Sequence, residues 1–438
     1  MFELNKTCLA HKFCIRENEK VVPATDFLNL VQGLVGYLQN KKAASLALCI
    51  EDSYLFAAAL FAGLSLDKNI ILLPNNKRPT VDNFAGEFDE VLTDENIKDV
   101  KPVTGEFNFI IHKNAKITFF TSGSGGVPKK SLKRFENLFL EVSVLEELFG
   151  SQLKTAVVLS TVTHQHMYGF LFKILWPICF GRCFGAFTVE YPEELGKMVR
   201  AHNSVALVSS PAFLKRYFLV ESVSPMLSAV FSSGGKLDFE VALATRRNLG
   251  VAPIEVYGST ESGGMAYREQ SSENQTWTVF PGVVLQQKEK DGPMICKSPY
   301  FDEPFLLTGD RAEMYADGRF QLLDRLDDVV KIEEKRVSLT ELNKKILSSA
   351  LIAESVVLEL EENGRQQTAC LAVLSEEGSK SLKTEGKFKI CEALRELLLT
   401  HFEALVVPKK FRFVNELPYN SQYKLIKKDL AGYFNDVV

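Results

Sequence analysis

A glycine-rich loop in the first third of the chain contains the residue types that hold phosphate. It reads T-S-G-S-G-G-V-P-K-K at 121–130 and directly follows a strand-like run at 115–120. Glycines let backbone amides turn toward an anion without a Cβ in the way, the hydroxyls add donors, and Lys129 and Lys130 add positive charge. The spacing is not that of a Walker A loop, because Pro128 stands where that pattern needs glycine. Alone, the loop fits a flexible glycine hairpin as well as a phosphate site.

Four later segments accompany this loop in a fixed order. They are Y-G-S-T-E at 257–261, T-G-D at 308–310, D-R-L-D-D-V-V-K at 324–331 and P-Y-N-S-Q-Y-K at 418–424. With the loop, they resemble the motifs of the adenylate-forming (AMP-binding) enzymes, which include acyl-CoA synthetases, adenylation domains and luciferases. Five segments in the right order over roughly 300 residues make coincidence improbable.

The resemblance implies an ATP-dependent ligase that activates a carboxylic acid. The carboxylate attacks the α-phosphorus of ATP, pyrophosphate leaves, and a pantetheine thiol of CoA or of an acyl carrier protein then takes the acyl group. Because two anions must meet, positioning and charge neutralisation carry the chemistry, and Mg²⁺ is the implied metal. The run S-T-V-T-H-Q-H-M-Y-G at 160–169 is similar to the compact bacterial acyl-CoA or acyl-carrier-protein synthetases of the aryl polyene-associated type.

The resemblance also implies a role for each polar group in these segments. Glu261 would bind Mg²⁺ through a hard carboxylate oxygen, and Thr260 beside it would hydrogen-bond phosphate. Asp310 would accept hydrogen bonds from ribose hydroxyls, Arg325 would approach phosphate, and Lys424 would be the catalytic ammonium. The other implied nucleotide-binding positions are Thr121, Ser122, Gly123, Ser124, Gly126, Lys129, Gly234, Gly235, Tyr257 and Gly258.

Each of these roles has an ordinary structural alternative. Glu261 alone would be an exposed acidic turn residue, Asp310 a turn cap, and Arg325 one half of a surface salt bridge. Lys424, within K-L-I-K-K, would belong to a solvated basic face. The surrounding motifs, rather than the side chains themselves, favour the functional interpretation.

A histidine-containing segment, T-H-Q-H-M-Y-G at 163–169, resembles the family segment that faces the acyl group. The spacing to the glycine assigns this position to His166 rather than His164. A zinc site is a poor alternative, because residues at i and i+2 diverge on a helix and no third ligand is near in sequence. The other alternative for His166 is a core histidine with satisfied hydrogen bonds.

Three residues depart from the pattern of the family. Gly125 removes a hydroxyl from the loop, Glu334 replaces a glycine near the implied thiol pocket, and Tyr423 replaces the glycine before Lys424. These departures leave two rivals open: a nucleotide-binding protein that has lost turnover, and an adenylating enzyme with a non-thiol acceptor. The intact charged groups of the other motifs favour the ligase.

The elements that must position these residues follow an α/β order. Short apolar runs alternate with helical patterns, which predicts buried, helix-covered sheets. A boundary near Asp327 divides a large domain at 1–326 from a small α+β C-terminal domain at 327–438, which the resemblance implies is a mobile lid. The sequence also predicts a helix through Tyr37 capped by Thr25 or Asp26, and a solvated loop or helix end at 375–387. The predicted strands are 46–50, 69–73, 115–120, 156–159, 205–208, 229–231, 254–256, 355–360 and 369–374.

Composition limits the partners. The 51 Lys+Arg and 55 Asp+Glu of the 438 residues leave a net charge of −4, which argues against a nucleic-acid partner. Eight scattered cysteines form no C-x-x-C pair and residues 1–12 lack an apolar core, so we expect free thiols in the cytoplasm. Charged residues and proline interrupt the most apolar stretch, 169–187, so we expect a buried helix followed by a strand and no stable membrane insertion.

Overall fold

The computed structural model describes most of the chain and divides it into two compact units. The described residues are 1–122, 128–217, 227–272, 275–289, 292–325, 329–332, 335–362, 365–419, 425 and 427–434. The first unit comprises Met1–Gln286, Ile295–Leu306 and Tyr315–Arg319, and the second comprises Gln287–Met294, Leu307–Met314 and Phe320–Val438. The boundary expected near Asp327 lies outside the described residues and stays a prediction.

Strands occur throughout the chain, and most of them are short. In chain order they are β1 Phe2–Leu4, β2 Lys12–Ile15, β3 Val21–Pro23, β4 Ser45–Cys49, β5 Asn69–Leu72, β6 Glu90–Thr93, β7 Phe109–Ile111, β8 Lys116–Ser122, β9 Pro128–Arg134, β10 Val157–Ser160, β11 Phe184–Gly185, β12 Val205–Ser209, β13 Ala229–Ser232, β14 Pro253–Ser259, β15 Gly263–Glu269, β16 Thr278–Val279, β17 Val284–Gln287, β18 Met294–Lys297, β19 Leu306–Leu307, β20 Asp310–Met314, β21 Phe320–Arg325, β22 Val329–Ile332, β23 Lys335–Ser338, β24 Ile352–Glu362, β25 Arg365–Leu374 and β26 Lys410–Phe413.

The helices alternate with these strands. In chain order they are α1 Ala24–Gln39, α2 Ser53–Ser65, α3 Arg78–Asn83, α4 Asp94–Ile97, α5 Phe135–Leu153, α6 Met167–Gly169, which continues through a π-helix at Phe170–Leu175 into α7 Trp176–Cys179, then α8 Pro192–Ala201, α9 Pro211–Tyr217, α10 Phe239–Leu249, α11 Leu339–Leu347, α12 Glu376–Thr384, α13 Gly386–Leu399 and α14 Lys427–Ala431, which leads into a 3₁₀ turn at Gly432–Phe434.

A nine-stranded sheet forms the centre of the first unit. Its order is β16-β15-β14-β13-β12-β10-β11-β2-β3, and the strands from β14 to β2 in that order are parallel. Their carboxyl ends therefore meet at one edge of the sheet, which is where ligands bind in open parallel sheets. Every residue of β10, β12 and β13 is buried, as expected for strands that are covered on both faces.

Helices cover both faces of this sheet. On one face, apolar residues of α8, α9 and α10 join Leu207 and Val230 in one core cluster. On the other face, the ring of Phe231 lies 5.3 to 5.6 Å from those of Phe149, Phe172 and Trp176, which come from α5 and from the helix that starts at Met167. The α/β class predicted from the sequence is confirmed.

A five-stranded sheet in the same unit has the order β6-β4-β5-β8-β9. Strands β4, β5, β6 and β8 are parallel, and β9 is antiparallel to β8. The two strands are in register from Lys116, opposite Arg134, to Ser122, opposite Pro128. The glycine-rich loop therefore joins the ends of a β-hairpin.

The second unit has its own core. The hairpin of β22 and β23 and the sheet β24-β25-β26 supply its strands. Leu342 and Ile346 of α11 and Leu394 and Leu398 of α13 are fully buried in one cluster with Val357 and Cys370 of the sheet. This mixture of hairpins and covering helices is the α+β arrangement that the sequence predicts for the C-terminal part.

Several local predictions can be compared directly with these elements. The stretch at 169–187 is a buried helix followed by the short strand β11, as predicted. The predicted cap of the first helix was wrong: Pro23 occupies the cap position of α1 with an extended backbone, φ −74° and ψ 157°, and no side-chain hydrogen bond caps the helix. The 375–387 segment is largely the helix α12, which Ser375 caps by accepting a hydrogen bond from the Gly378 amide. Within the described residues, no helix combines the length and apolar character needed to cross a bilayer.

Replacing Phe231 should destabilise the first unit strongly. Phe231 is 0% exposed and contacts three aromatic rings, so Phe231→Ala leaves a cavity and should lower the free energy of unfolding by about 3–5 kcal/mol. Phe305→Ala is the matched control, because Phe305 is 48% exposed; its effect should stay within about 1 kcal/mol. Urea unfolding followed by tryptophan fluorescence measures both, since Trp176 and Trp277 lie in the first unit. Equal effects of the two substitutions would contradict this packing.

Candidate active site

The Y-G-S-T-E motif lies where β14 ends and turns back into β15. Tyr257 and Gly258 belong to the last part of β14, and Thr260 and Glu261 lie in the turn. The turn is tight enough to require two glycines. A Cβ on Gly258 would lie 2.3 Å from the Gly263 carbonyl oxygen, and Gly263 has φ +68°, which other residues rarely adopt. The motif is thus held at the carboxyl edge of the nine-stranded sheet.

The two ends of the glycine-rich loop face each other across the β8–β9 hairpin. Thr121 pairs with Lys129, and Ser122 pairs with Pro128. The predicted phosphate-binding residues within the loop, Gly123, Ser124 and Gly126, lie outside the described residues, as do the side chains of Thr121 and Ser122. Their roles stay predictions, whereas Lys129 can be placed.

Lys129 and Glu261 lie together in the structure. The Lys129 ammonium nitrogen is 3.9 Å from the Glu261 Oε1 atom, and both side chains reach solvent. An exposed ion pair of this kind contributes about 0–1 kcal/mol at most, so the contact says little about stability. The contact matters for the geometry of the site, because it places the residue after the glycine-rich loop next to the carboxylate that is predicted to bind Mg²⁺.

Two further side chains of β9 contact the backbone of this turn. Ser131 donates its hydroxyl to the Thr260 carbonyl oxygen at 3.3 Å. The Lys133 ammonium donates to the carbonyl oxygens of Glu261, at 2.6 Å, and Tyr300, at 3.0 Å. Lys133 is 1% exposed, and this burial lowers its pKa, although nearby carboxylates oppose the shift. The hydrogen bonds from Ser131 and Lys133 therefore anchor the backbone of the turn to β9.

A buried carboxyl group of α5 holds the far side of the turn. Glu141 accepts a hydrogen bond from the Gly264 amide at 2.6 Å. Burial raises the pKa of Glu141 to about 7, against the opposing effects of the Gly264 hydrogen bond and of the charge of Lys133. Sequence reasoning missed both Glu141 and Lys133. The available signal was the i, i+2 spacing of Ser131 and Lys133, which places both side chains on one face of a strand.

The loop at Ser233-Gly234-Gly235, which contains two of the predicted nucleotide-binding positions, follows β13 at the same edge. Ser233 donates its hydroxyl to the Val256 carbonyl oxygen at 2.8 Å, which holds this loop beside the end of β14. Tyr257 is half-buried, and its ring centroid is 5.6 Å from that of Trp277. The structure thus brings Gly234, Gly235 and Tyr257 to one neighbourhood.

The two histidines of the 163–169 segment have different surroundings. His164 is 2% exposed, with Nδ1 2.9 Å from the Ser53 hydroxyl and Nε2 2.8 Å from the Ile50 carbonyl oxygen. Burial lowers its pKa to about 3, so the ring is neutral and structural. His166 precedes α6 and is only partly buried. A core histidine with satisfied hydrogen bonds was the alternative considered for His166, and that description fits His164 instead.

In the second unit, Asp310 and Arg325 face each other across the β20–β21 hairpin. They are paired in register, and an Arg325 guanidinium nitrogen lies 3.1 Å from the Asp310 Oδ1 atom. The Asp310 side chain is 15% exposed and that of Arg325 is 51% exposed. Lys424 lies outside the described residues, as do the departures Gly125, Glu334 and Tyr423. The catalytic role of Lys424 therefore stays a prediction.

The donor set of the turn fits Mg²⁺ better than a tightly chelated metal. Among the described residues, no group of three or more His, Cys, Asp or Glu side chains could hold a metal ion. Glu261 supplies a carboxylate in this turn, and its Oε1 atom lies 3.9 Å from the Lys129 ammonium nitrogen. Mg²⁺ is commonly bound by one or two carboxylates together with water and the phosphates of a substrate, and Glu261 beside a phosphate-type loop meets that requirement.

Comparison with known proteins agrees with this geometry. The model of the AMP-binding enzyme family matches residues 42–289, which include the glycine-rich loop and the Tyr257–Glu261 turn. A 4-coumarate–CoA ligase of Halorhodospira halophila is 24% identical over 321 residues, which cover 70% of this chain and 74% of that protein. A D-alanine–D-alanyl carrier protein ligase of Lactococcus lactis is 24% identical over 385 residues, or 80% of this chain and 76% of that protein.

A solved structure extends the similarity of fold to nearly the whole chain. The o-succinylbenzoate CoA synthetase of Bacillus subtilis, in complex with an acyl-adenylate intermediate, aligns with a TM-score of 0.78. The alignment covers 98% of each chain at 15% sequence identity. The architecture is therefore shared even where the sequences have diverged.

Replacing Glu141 should change how stability depends on pH. In the folded protein the pKa of Glu141 is about 7, above its ordinary value of 4.5, so between these pH values the folded state keeps a proton that the unfolded chain releases. This component of stability therefore falls as pH rises through that window. Glu141→Gln keeps an oxygen acceptor for Gly264 and removes the proton, so the stability of the variant relative to wild type should rise by up to ~1.4 kcal/mol per pH unit.

Urea unfolding of both proteins between pH 4.5 and 8 measures this difference. The comparison with wild type is needed because neutral His164 acts in the opposite direction over an overlapping window. The difference should level off above pH 7. A difference that does not change with pH would show that Glu141 is ionised throughout and would contradict the proposed cause.

Proposed function

The chain belongs to the AMP-binding enzyme family, and from this premise we propose that it joins a carboxylic acid to a pantetheine thiol at the expense of ATP. The family is that of adenylate-forming acid–CoA and carrier-protein ligases. The observation that carries the proposal is the meeting of Lys129, at the exit of the glycine-rich loop, with Glu261 in the β14–β15 turn. Binding of a metal–nucleotide complex requires a loop that can hold phosphate next to a carboxylate that can bind the metal.

We assign the nucleotide to the edge where these residues lie. The loop residues Thr121 to Gly126, Lys129 and Thr260 would hold the phosphates, and Glu261 would hold Mg²⁺. The metal would supply charge neutralisation on the phosphate oxygens. Tyr257, Gly258 and the loop of Gly234 and Gly235 would border adenine, which their common location supports. Asp310 would bind the ribose hydroxyls and Arg325 a phosphate.

The first step forms the acyl-adenylate. A carboxylate oxygen of the acid attacks the α-phosphorus of ATP, the bond from that phosphorus to the bridging oxygen breaks, and pyrophosphate leaves. No proton is transferred, so no general base is needed. The Lys424 ammonium neutralises charge on the carboxylate and α-phosphate oxygens as they approach each other. His166 would contact the acyl group, which is the role that the resemblance of the 163–169 segment implies.

The second step transfers the acyl group to sulfur. The thiol attacks the carbonyl carbon of the adenylate, the bond from that carbon to the phosphate oxygen breaks, and AMP leaves while the thiol proton goes to solvent. We propose that residues 327–438 act as the lid that withdraws Lys424 before this step, as conformational alternation in such ligases requires. Glu334 stands near the implied thiol pocket where the family has a glycine, so we expect this substitution to affect thioester formation more than adenylate formation.

Two of the relatives differ in the acid and in the acceptor for which they are named. One relative is named for an aromatic acid and CoA, and another for D-alanine and a carrier protein. We propose CoA or a carrier-protein phosphopantetheine as acceptor, and an acid of the aryl polyene or fatty-acid type. We further propose the reducing cytosol as the compartment, which the eight free cysteine thiols support.

Pyrophosphate release tests this function directly. Purified protein with MgATP should release pyrophosphate only in the presence of one class of acid from a panel of aromatic, short-chain and long-chain acids. Lys424→Ala should lower the rate by about 10²–10³-fold, because it removes a charge that acts at the reacting oxygens. Lys427→Ala is the matched control from the same basic segment and should change the rate less than about 2-fold.

The alternatives give different results in the same assay. Equal rates for Lys424→Ala and Lys427→Ala would show that Lys424 is part of a solvated basic face. ATP binding without release in the presence of any acid would favour a nucleotide-binding protein that has lost turnover. Release that yields no thioester with CoA or with phosphopantetheinylated carrier protein would favour a non-thiol acceptor.

A further inference from the structure

Three side chains hold the turn that bears Thr260 and Glu261. Ser131 and Lys133 of β9 donate to the consecutive carbonyl oxygens of Thr260 and Glu261, and Glu141 of α5 accepts from the Gly264 amide. We call Ser131, Lys133 and Glu141 the turn cradle. Its members come from two elements that adjoin in sequence, whereas the turn lies more than a hundred residues further along the chain.

Lys133 is the central member of the turn cradle. Its ammonium is buried, and it satisfies two backbone carbonyl oxygens from two separate segments, at Glu261 and at Tyr300. It also lies 5.7 Å from the centroid of the Phe301 ring. A lysine buried in this way costs free energy unless its donors are used. Both carbonyl groups would in turn lose a strong donor if the ammonium were removed.

The hydrogen bonds of the turn cradle are made to backbone atoms, so they do not occupy the side chains of Thr260 and Glu261. Lys133 contacts the Glu261 carbonyl oxygen, while the Glu261 carboxylate points toward Lys129 on the outer side. A backbone fixed at consecutive residues restricts where the attached side chains can be. Restriction before binding lowers the entropy that a ligand must remove.

We propose that Lys133 is a positioning residue, whose ammonium fixes the Thr260–Glu261 backbone so that both side chains are preset for the metal–nucleotide complex. The inference deepens the proposed function and rests on it for the identity of the ligand. Lys133 acts through the turn and does not itself contact substrate. Its contribution is therefore to the affinity for MgATP, and the affinity for the acid is independent of it.

Removing the ammonium should loosen the turn in the absence of any ligand. Lys133→Met keeps an unbranched side chain of similar length and removes all three donors. Hydrogen–deuterium exchange of residues 258–265 in ligand-free protein should become faster by about 10-fold or more. Lys173→Met is the matched control: Lys173 is likewise buried in the first unit, but its ammonium donates to the Thr188 hydroxyl, away from the turn. It should leave exchange at 258–265 unchanged.

Ligand binding and kinetics then separate positioning from a general loss of structure. Isothermal titration with MgATP should show a Kd about 10-fold higher for Lys133→Met, and the KM for MgATP should rise in parallel while the KM for the acid stays constant. Should Lys133→Met fail to fold, Ser131→Ala removes one hydrogen bond of the same cradle and should shift exchange and Kd in the same direction by about 2-fold to 3-fold.

Some results would overturn the inference. Unchanged exchange at 258–265 together with an unchanged Kd for MgATP would show that the turn keeps its geometry without Lys133. Equal increases of the KM for MgATP and the KM for the acid would show that Lys133 stabilises the whole unit and has no specific effect on the Thr260–Glu261 turn. Because exchange and titration need no turnover, wild type that binds MgATP but releases no pyrophosphate would count against the proposed function, while a weaker Kd in Lys133→Met would still support the positioning role.

Discussion

The candidate site depends on the way a buried lysine meets its hydrogen-bonding requirement. The Lys133 ammonium is shielded from bulk solvent and donates to carbonyl oxygens at Glu261 and Tyr300. A cation is costly in a protein interior without such partners. The buried ammonium therefore requires β9, the β14–β15 turn and the segment at Tyr300 to lie close together. The same strand carries Lys129, so the exit of the glycine-rich loop and the acidic turn share one rigid support.

The two sheets of the first unit contribute different parts to this point. The nine-stranded sheet brings the ends of β13 and β14 to one edge, because its central strands are parallel. The five-stranded sheet brings β9 through its antiparallel pairing with β8. Close approach of the chains is possible only because Gly258 and Gly263 have no side chains. A nucleotide at this edge would thus be held by groups whose backbones are fixed by two independent sheets.

The sequence predicts the parts of this arrangement that leave a local signal. Strands such as β12 were predicted to within a residue, because a strand covered on both faces is a continuous apolar run. The motif order predicted that Lys129 and Glu261 serve one site, and the structure brings them together. Apart from the i, i+2 spacing of Ser131 and Lys133, nothing local marked Lys133 or Glu141: a lysine in a strand and a glutamate in a helix ordinarily face solvent, and their partners are distant in sequence. The roles of Lys424 and of the loop interior remain predictions.

The proposed function depends on the attack of a carboxylate oxygen on the α-phosphorus of ATP, and the fate of that oxygen tests this step most directly. The acid that supports turnover is labelled with ¹⁸O in its carboxyl group and incubated with MgATP and the thiol acceptor, and AMP is analysed by mass spectrometry. Formation and thiolysis of an acyl-adenylate predict one ¹⁸O atom in each AMP and none in pyrophosphate. AMP without label, or label in inorganic phosphate, would show that the acid is not activated as its adenylate and would contradict the account.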